Sequence, residues 1–511
     1  MRSHPVFPAT DCRRGFRRRG AAAVFCAFLF STGVGHANSD PANGWKAAFP
    51  RISGIFYNKS YDNPDFQRAI AKHDLGVLGF FKGWEVTRGI TAREAVLAIK
   101  KINPGIKLGQ YTLLESAYYP ANAASDDIYN KLTAGVGPSA GAGNPPNDWW
   151  LRDTAGAIIY HPDYEPGDPG SDMAETNITG FVTPDGDGNT FSQWFAVRSA
   201  AEFFMPVPEF DFCFSDNAFY MPRVDADWNR DTRPDLKGDP VVQTYYRKGM
   251  ASYWAKLQAL EPGLLIMGNT DGHPTQNKGF LYPDSTPEYT GMLGGAMYET
   301  AFGSSWSGET WSGWYNTMRA YRSLMRNTTA PHAVIFSIAC LANGKAHQPE
   351  IQPNYGRGAD FAFMRYALAS ALMDDGYVEF HPGTYTNTTP LWFDEFDLAG
   401  EAAAGTSWLG VAIDPPQEDA YQDGVFLRRF ENGAAIVNPR TNDVILGTGP
   451  EARPVRTTRV YIPTTQGLFK RINGTQAPTV NNGQNLPLDP DHGNTPYVDL
   501  FPGDGILLVR Q

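Results

Sequence analysis

The chain has few of the residues that bind metals or form disulfides. Of its 511 residues only 4 are cysteine and 9 are histidine, and neither a CxxC nor an HExxH motif occurs. Cys213 and Cys340 are the cysteines that follow the N-terminal segment, and both lie in apolar runs. Two buried free thiols are therefore favoured over a disulfide framework. The absence of CxxC and HExxH leaves zinc chemistry without a supporting motif, and the absence of a P-loop leaves nucleotide binding without one.

Charge is also scarce and mostly negative. Charged residues make up 19 % of the chain, and the formal net charge is -11. Residues 1–37 hold six Arg and one Asp, a contribution of +5, so the remainder carries -16. A nucleic-acid partner needs a basic footprint and is disfavoured on this ground, and a neutral polymer is favoured over an anionic one. Trp (12) and Tyr (24) are abundant, and flat aromatic rings stack well on sugar faces.

No apolar run is as long as a membrane span, which needs about 18 residues or more. The N-terminus instead has a basic cluster, including the pair Arg13 and Arg14, before an apolar stretch over residues 21–34. Gly35-His36-Ala37 is a small-residue cleavage site. Residues 1–37 are therefore predicted to be a secretory signal peptide, with a twin-arginine route as a variant. The mature protein is expected to be secreted or periplasmic and free of the membrane.

The middle of the chain alternates apolar runs with helical patterns. A doubly wound sheet also fits this alternation, but no glycine-rich first turn is present. We therefore predict a (β/α)8 TIM-type barrel over residues 38–400. After residue 400 short strands follow one another without helices, which predicts a C-terminal all-β sandwich over residues 401–511. The eight predicted barrel strands cover residues 51–57, 75–81, 106–113, 210–214, 264–267, 292–298, 333–338 and 377–380.

Acidic residues lie at the ends of several of these strands, and two of them are selected. Asp216 comes after the fourth strand and Glu299 after the sixth, so both are expected on the carboxyl-terminal rim, where barrel enzymes do their chemistry. Glycoside hydrolysis needs two carboxyl groups on either side of the scissile bond, one to donate a proton and one that stays ionised. Asp216 and Glu299 are the predicted catalytic pair. Asp211 is set aside because it lies too early in the strand and is expected to face helices or form a turn.

Several residues near the strand ends are candidate sugar contacts, with ordinary packing or loop capping as the alternative for each. Asp394 and Glu395, in an aromatic-rich loop, are assigned either to a subsite or to the connection between the two domains. The other candidate substrate-binding residues are Tyr57, Trp84, Tyr111, Asn217, Asn269 and Tyr298.

One acidic loop resembles a calcium-binding loop. Asp225, Asp227, Asn229 and Asp231 place oxygen ligands at alternate positions. The loop departs from the motif because Arg230 replaces the glycine and Leu236 replaces the twelfth-position Glu. A structural calcium ion is one interpretation, and a polar turn held by side-chain hydrogen bonds is the other. No cofactor is expected to be required.

The order of these segments resembles the barrel-type glycoside hydrolases, and most closely the group known as hypothetical glycosyl hydrolase family fifteen. The segments that carry the resemblance are residues 210–217, 225–235, 268–270, 297–299 and 391–397. The resemblance covers about residues 50–400 and implies a reaction class without a substrate. Barrels similar to α-galactosidases place the nucleophile after strand four and the acid/base after strand six. The analogy therefore implies a retaining enzyme with Asp216 as nucleophile and Glu299 as acid/base, although that acid/base is usually Asp.

The leading hypothesis is a secreted glycoside hydrolase that cleaves O-glycosidic bonds in a poly- or oligosaccharide. A non-catalytic carbohydrate-binding or surface-polysaccharide protein on the same scaffold is the alternative. A hydrolase needs both acids to converge, whereas a binding protein should show aromatic rings along a groove. A metal-dependent polysaccharide deacetylase requires clustered His and Asp ligands, which the scattered histidines do not supply.

Overall fold

The computed structural model describes most of the chain after residue 43. It covers residues 44–56, 60–119, 126–134, 148–162, 173–270, 287–303, 307–339, 358–381, 391–400, 405–440, 445–446, 453–454, 457–465 and 467–511. The predicted signal peptide lies outside these residues, as do Tyr57 and Cys340. Among the helices within these ranges, none is both long and apolar enough to cross a membrane.

Eight parallel strands form the centre of the fold, one for each predicted apolar run. They are β1 (Ile52–Phe56), β2 (Leu75–Leu78), β3 (Lys107–Leu113), β4 (Phe212–Asp216), β5 (Leu265–Asn269), β6 (Gly295–Phe302), β7 (Ala333–Ala339) and β8 (Tyr377–His381). Each strand pairs with its neighbours in chain order, and β8 pairs with β1 to close the barrel. The predicted TIM-type barrel is confirmed, since a doubly wound sheet would have open edges.

Helices between the strands cover the outside of the barrel. They are α1 (Pro64–Ala71), α2 (Trp84–Arg88), α3 (Ala92–Ile102), α4 (Asp126–Thr133), α5 (Phe191–Ser199), α6 (Pro240–Leu260), α7 (Gly308–Ser312), α8 (Trp314–Asn327), α9 (Gly358–Ala371) and α10 (Asp394–Asp397). A π-helical turn, Ala200–Phe204, extends α5. Single-turn 3-10 helices cover Pro287–Tyr289, Leu398–Gly400, Gly405–Ser407 and Pro490–His492.

Local sequence explains where these helices begin and end. Thr91 and Glu94 form a reciprocal capping box at the start of α3, and Asp239 caps α6 ahead of Pro240. Residues 308–327 form two helices, because Gly313 adopts a φ of 78° and separates α7 from α8.

Side chains alternate between the barrel interior and the helical layer along each strand. The interior cluster includes Phe212 and Phe214 of β4, Met267 of β5, Met297 of β6 and Tyr377 of β8. The residues that alternate with these along each strand face outward and pack against the helices. Cys213 is one of these, a buried free thiol beside Tyr253 of α6.

Two antiparallel sheets follow the barrel and confirm the predicted β-sandwich. Their strands are β9 (Phe426–Phe430), β10 (Gly433–Asn438), β11 (Thr458–Tyr461), β12 (Phe469–Arg471), β13 (Leu488–Asp489), β14 (Thr495–Leu500) and β15 (Asp504–Arg510). One sheet has the order β9-β10-β15-β12 and the other has the order β11-β14-β13. Apolar side chains from both sheets, such as Leu427, Val460 and Val498, pack together in one core, as a sandwich requires.

Two short strand pairs lie outside the barrel and the sandwich sheets. One joins Ile445–Leu446 to Arg453–Pro454. The other is a ribbon that joins Ser116–Tyr118 to Met173–Glu175 in the segment between β3 and β4. The ribbon therefore belongs to the connection that follows the carboxyl-terminal end of β3.

A buried ion pair joins the sandwich to the barrel. Arg428 of β9 contacts the carboxylate of Asp375 in the turn before β8, and it also donates to the Leu372 carbonyl at 3.1 Å. Both charged side chains are at most 4 % exposed. Because each would be costly to bury alone, the pair fixes the sandwich against the amino-terminal end of β8.

Candidate active site

Alternate side chains of each strand face the barrel interior, and polar ones among them come together at the carboxyl-terminal end of the barrel. Phe214 and Met267 face the interior, so Asp216 and Asn269, two residues further along β4 and β5, face it as well. The same alternation from Met297 places Glu299 of β6 on the interior face. Three neighbouring strands therefore supply a carboxylate, an amide and a second carboxylate in that order.

A single amide group connects the two carboxylates. The side-chain nitrogen of Asn269 donates to Oδ1 of Asp216 at 2.8 Å and to Oε2 of Glu299 at 2.8 Å. The amide has two N–H bonds, one for each acceptor. Since both bonds end on one nitrogen, the two oxygens lie at most about 5.6 Å apart, the two bond lengths laid end to end.

Asp216 receives two further hydrogen bonds. The hydroxyl of Tyr111, on β3, donates to Oδ2 at 2.5 Å, and the backbone N–H of Asn217 donates to Oδ1 at 2.9 Å. The Tyr111 ring stacks on Phe214 at 6.2 Å between centroids, which holds the hydroxyl in place. Three donors therefore hold the Asp216 carboxyl group in place, two of them at Oδ1 and one at Oδ2.

Glu299 lies in an irregular part of β6. The pairing of β6 with β7 is irregular after Tyr298. A step of four residues along β6 there lies opposite a step of two residues along β7. Within this bulge Thr300 has a φ of 47° and is 1 % exposed. A β-branched residue at positive φ is costly, and such strain is concentrated at functional sites. The bulge sets the direction in which Glu299 projects from the strand.

Glu379 is a third carboxyl group on the interior face and was not among the predicted site residues. It lies two residues after Tyr377 on β8 and accepts a hydrogen bond from the Ser337 hydroxyl at 2.6 Å. Burial, and then the charge of Glu299, raise the pKa of the Glu379 carboxyl to about 8. The signal was available in the sequence, because the alternation that places Tyr377 inside the barrel also places Glu379 there.

The residue after Asp216 is held by a second network. Asn217 has a φ of 52°, its side-chain oxygen accepts from Arg223 at 2.9 Å, and Arg223 also pairs with Glu115 at 3.3 Å. Tyr246 of α6 donates to Glu115 at 2.8 Å. Asn217 was predicted to contact substrate, but in this structure its side chain is 8 % exposed and holds the backbone turn beside Asp216.

Three other predicted sugar contacts lie away from the Asn269 amide, and a fourth falls outside the described residues. The Trp84 ring packs against Phe80 at 4.9 Å in the outer core. Tyr298 has the opposite parity to Glu299, and its ring packs outward against Phe336 at 6.0 Å. Asp394 accepts the backbone N–H of Gln476 at 2.8 Å, whereas the fourth, Tyr57, is not among the described residues.

Glu395 also turns to the C-terminal domain. It is 1 % exposed and accepts from the Asn481 side chain at 2.8 Å. Burial raises the pKa of its carboxyl. Asp394 and Glu395 thus have the contacts expected of the connecting role, one of the two roles that the sequence left open.

The acidic loop at residues 225–235 is a polar turn in the described structure. Asp227 accepts the backbone N–H groups of Asp231 at 2.9 Å and Thr232 at 3.0 Å, and Asn229 also accepts from Asp231 at 2.9 Å. Asp225 accepts from the backbone of Lys237 at 2.7 Å. Across the described ranges, no group of three or more His, Cys, Asp or Glu side chains is placed to hold a metal ion. These hydrogen bonds account for the carboxylates without an ion, and calcium binding here stays a prediction.

Asp211 lies at the opposite end of the barrel. It precedes β4, contacts Lys100 at 2.6 Å and Lys107 at 3.2 Å, and accepts the backbone N–H of Leu108. Asp211 therefore lies at the amino-terminal end of the strand, away from Asp216 and Asn269.

Comparison with known proteins gives one family and several distant structures. A family model described as hypothetical glycosyl hydrolase family 15 matches residues 100–434. The glycoside hydrolase domain of PelA from Pseudomonas aeruginosa is 13 % identical over 65 % of this chain and 96 % of that one, with a TM-score of 0.35. The debranching enzyme of Nostoc punctiforme is 9 % identical over 93 % of this chain and 99 % of that one, with a TM-score of 0.44. No curated protein sequence matches the chain.

Proposed function

The chain belongs to hypothetical glycosyl hydrolase family 15, and from that premise we propose that it is a secreted glycoside hydrolase. It cleaves O-glycosidic bonds in a poly- or oligosaccharide, with Asp216 and Glu299 as the two carboxyl groups. The observation that carries the proposal is the Asn269 amide, which donates to both carboxylates at 2.8 Å and so holds them on either side of one position. A binding protein has no need of two acids held in this way.

The separation of the two carboxyl groups supports a retaining mechanism. Retaining glycosidases hold their carboxyl groups about 5–5.5 Å apart, whereas inverting enzymes leave about 6.5–9.5 Å for a water molecule. The upper limit of about 5.6 Å between Oδ1 of Asp216 and Oε2 of Glu299 agrees with the shorter range.

The hydrogen bonds also support distinct roles for the two acids. Asp216, whose carboxyl group is held by Tyr111, Asn269 and the Asn217 backbone, is the nucleophile. Glu299 protonates the glycosidic oxygen while the bond from that oxygen to the anomeric carbon breaks and Asp216 bonds to the carbon. In the second step Glu299 takes a proton from water, the water oxygen bonds to the anomeric carbon, and Asp216 leaves as a carboxylate.

Export is part of the proposal. The arginine cluster, the apolar stretch over residues 21–34 and the small residues up to Ala37 support cleavage after Ala37. We expect the exported protein to begin at Asn38, as measured by its intact mass. An exported product that keeps residues 1–37 would contradict this assignment.

The test of activity is product release from a panel of bacterial, fungal and plant polysaccharides. The substitutions Asp216→Asn and Glu299→Gln are each expected to lower release by about 10³-fold or more. Glu395→Gln is the matched control, because Glu395 is a carboxyl group outside the proposed site that contacts Asn481 in the C-terminal domain. Release that survives both site substitutions would move the active site elsewhere. Binding to a polymer with no release would favour the non-catalytic carbohydrate-binding alternative.

A further inference from the structure

The turn that follows Asp216 holds two parts of the proposed site with consecutive backbone N–H groups. The N–H of Asn217 donates to Oδ1 of Asp216 at 2.9 Å. The next N–H, that of Ala218, donates to the backbone carbonyl of Asn269 at 2.8 Å. Because the Asn269 amide bonds to both acids, the conformation of this turn affects the nucleophile and the strand end that carries the connecting amide.

Asn217 has a backbone conformation that most residues avoid. Its φ of 52° lies in the left-handed region, which asparagine tolerates better than most residues other than glycine. Its carbonyl oxygen accepts the N–H of Phe219 at 2.8 Å, which closes the turn. A contact from outside the turn can therefore decide how firmly Asn217 keeps this conformation.

Arg223 makes that contact with the side chain of Asn217. Its Nη2 donates to Oδ1 of Asn217 at 2.9 Å. The same guanidinium group lies 4.5 Å from the centre of the Phe219 ring, at the other end of the turn. A planar guanidinium that bonds and stacks at once is restricted to one orientation, so Arg223 holds both ends of the turn.

A buried acid keeps Arg223 in this position. The Nε of Arg223 lies 3.3 Å from Oε1 of Glu115, which is buried. The hydroxyl of Tyr246 on α6 donates to Oε2 of Glu115 at 2.8 Å and lies 3.3 Å from the carbonyl oxygen of Asn217. The Glu115 carbonyl accepts the N–H of Thr176 at 2.7 Å. This network therefore joins the turn after Asp216 to α6 and to the ribbon between β3 and β4.

We propose that Arg223 is a positioning residue for the nucleophile. By holding Asn217 in the left-handed conformation, Arg223 keeps the Asn217 N–H directed at the Asp216 carboxyl group. The inference rests on the proposed function, because it takes Asp216 to be the nucleophile. Arg223 contributes no bond to the reacting atoms in this role, and it acts on the direction from which the carboxylate attacks. A displacement of a reacting group by about 1 Å can cost about 10²-fold in rate.

Double-mutant kinetics test whether Arg223 acts through Asn217. Arg223→Met should lower kcat by about 10-fold and leave KM nearly unchanged, because the misplaced carboxylate slows the chemical steps. In an Asn217→Gly background the same change should cost less than about 2-fold, since glycine adopts a positive φ without help and keeps the N–H. An equal loss in both backgrounds would show that Arg223 acts by another route and would overturn the proposal.

A comparison of glycine with alanine at position 217 tests the role of the backbone. Asn217→Ala should have a kcat about 5-fold or more below that of Asn217→Gly, because alanine disfavours the left-handed conformation. Equal kcat values in these two variants would contradict the proposal.

Two further variants control for stability. Arg429 has a similar exposure to Arg223, 27 % against 23 %, and pairs with Asp414 in the C-terminal domain, so Arg429→Met should leave kcat unchanged. Arg223→Met leaves Glu115 buried without its cation. If that variant does not fold, Arg223→Met combined with Glu115→Gln removes both charges and takes its place in the kinetic comparison.

Amide hydrogen exchange tests the turn without any substrate. In protein labelled with ¹⁵N at asparagine, the backbone signal of Asn217 is identified by its loss in Asn217→Gly. We expect this amide to exchange about 10-fold faster or more in Arg223→Met than in the wild type, whereas the amide of Asn438 in the C-terminal domain should keep its rate. An exchange rate of Asn217 that Arg223→Met leaves unchanged would overturn the proposal.

These outcomes separate the two proposals. Faster exchange of the Asn217 amide in Arg223→Met, in a protein that releases no product from any polysaccharide, would contradict the hydrolase assignment but leave Arg223 as the residue that holds the turn. A hydrolase that loses activity in Asp216→Asn, yet keeps its kcat in Arg223→Met, would keep the hydrolase assignment and refute the positioning role.

Discussion

The Asn269 amide offers the sharpest perturbation of the proposed site. Asn269→Ala removes two hydrogen bonds to carboxylates, each 2.8 Å long. A hydrogen bond to a charged group contributes about 1.5–3 kcal/mol. Water can enter the vacated position and restore part of this, so we expect a net loss of about 3 kcal/mol in transition-state stabilisation. That loss corresponds to about 10²-fold in kcat/KM.

The assay compares kcat and KM of Asn269→Ala with those of wild type on the polysaccharide that gives most product. Asn438→Ala is the matched control, because Asn438 is a fully buried asparagine of β10 whose amide donates to the Leu500 carbonyl at 3.1 Å. The control should lose stability without a comparable loss of kcat. If Asn269→Ala folds and retains kcat within about 3-fold of wild type, the reasoning that the amide organises both acids is refuted.

Three further predictions concern the rest of the molecule. Arg428→Ala leaves Asp375 buried without its partner and should lower the free energy of unfolding by about 3–5 kcal/mol in a urea titration. Burial raises the pKa of Glu115 from 4.5 to about 7, so the folded state binds more protons than the unfolded state between these pH values. The free energy of unfolding of the wild type, relative to that of Glu115→Gln, should therefore fall as the pH rises from 4.5 to about 7. A difference that does not change with pH would contradict this. Neither calcium nor a chelator should change the Tm, because carboxylates of the loop at residues 225–235, such as Asp227, already accept backbone N–H groups. A rise in Tm with calcium would instead support the calcium interpretation.

The barrel was predictable because each of its strands is a short apolar run that ends at a turn. Parallel strands buried on both faces have this pattern, and the helical caps at Thr91 and Asp239 are local signals too. The rule that barrel sites lie at the carboxyl-terminal ends then led to Asp216, Asn269 and Glu299, which the structure brings together.

The remaining features depend on details that neighbouring residues alone do not determine. Tyr298 and Glu299 are adjacent in sequence, yet one side chain faces the helices and the other faces the barrel interior. Only the alternation of side chains along a strand distinguishes the two positions, and the same alternation places Glu379 in the interior. The bulge at Thr300 comes from strand register, which is a relation between β6 and β7. The contacts of Asp394 form only because a loop more than 80 residues further along the chain docks beside it.

The proposed mechanism makes Asp216 the nucleophile and Glu299 the acid/base of one retaining hydrolase. Azide rescue of Asp216→Ala and Glu299→Ala on the best substrate tests this most directly, with NMR to assign the anomer of each glycosyl azide. We expect an azide product of inverted configuration from Asp216→Ala, because azide replaces the nucleophile. We expect a product of retained configuration from Glu299→Ala, because azide attacks the glycosyl-enzyme. The same configuration from both variants, or rescue of neither in a protein whose wild type releases product, would contradict the assignment.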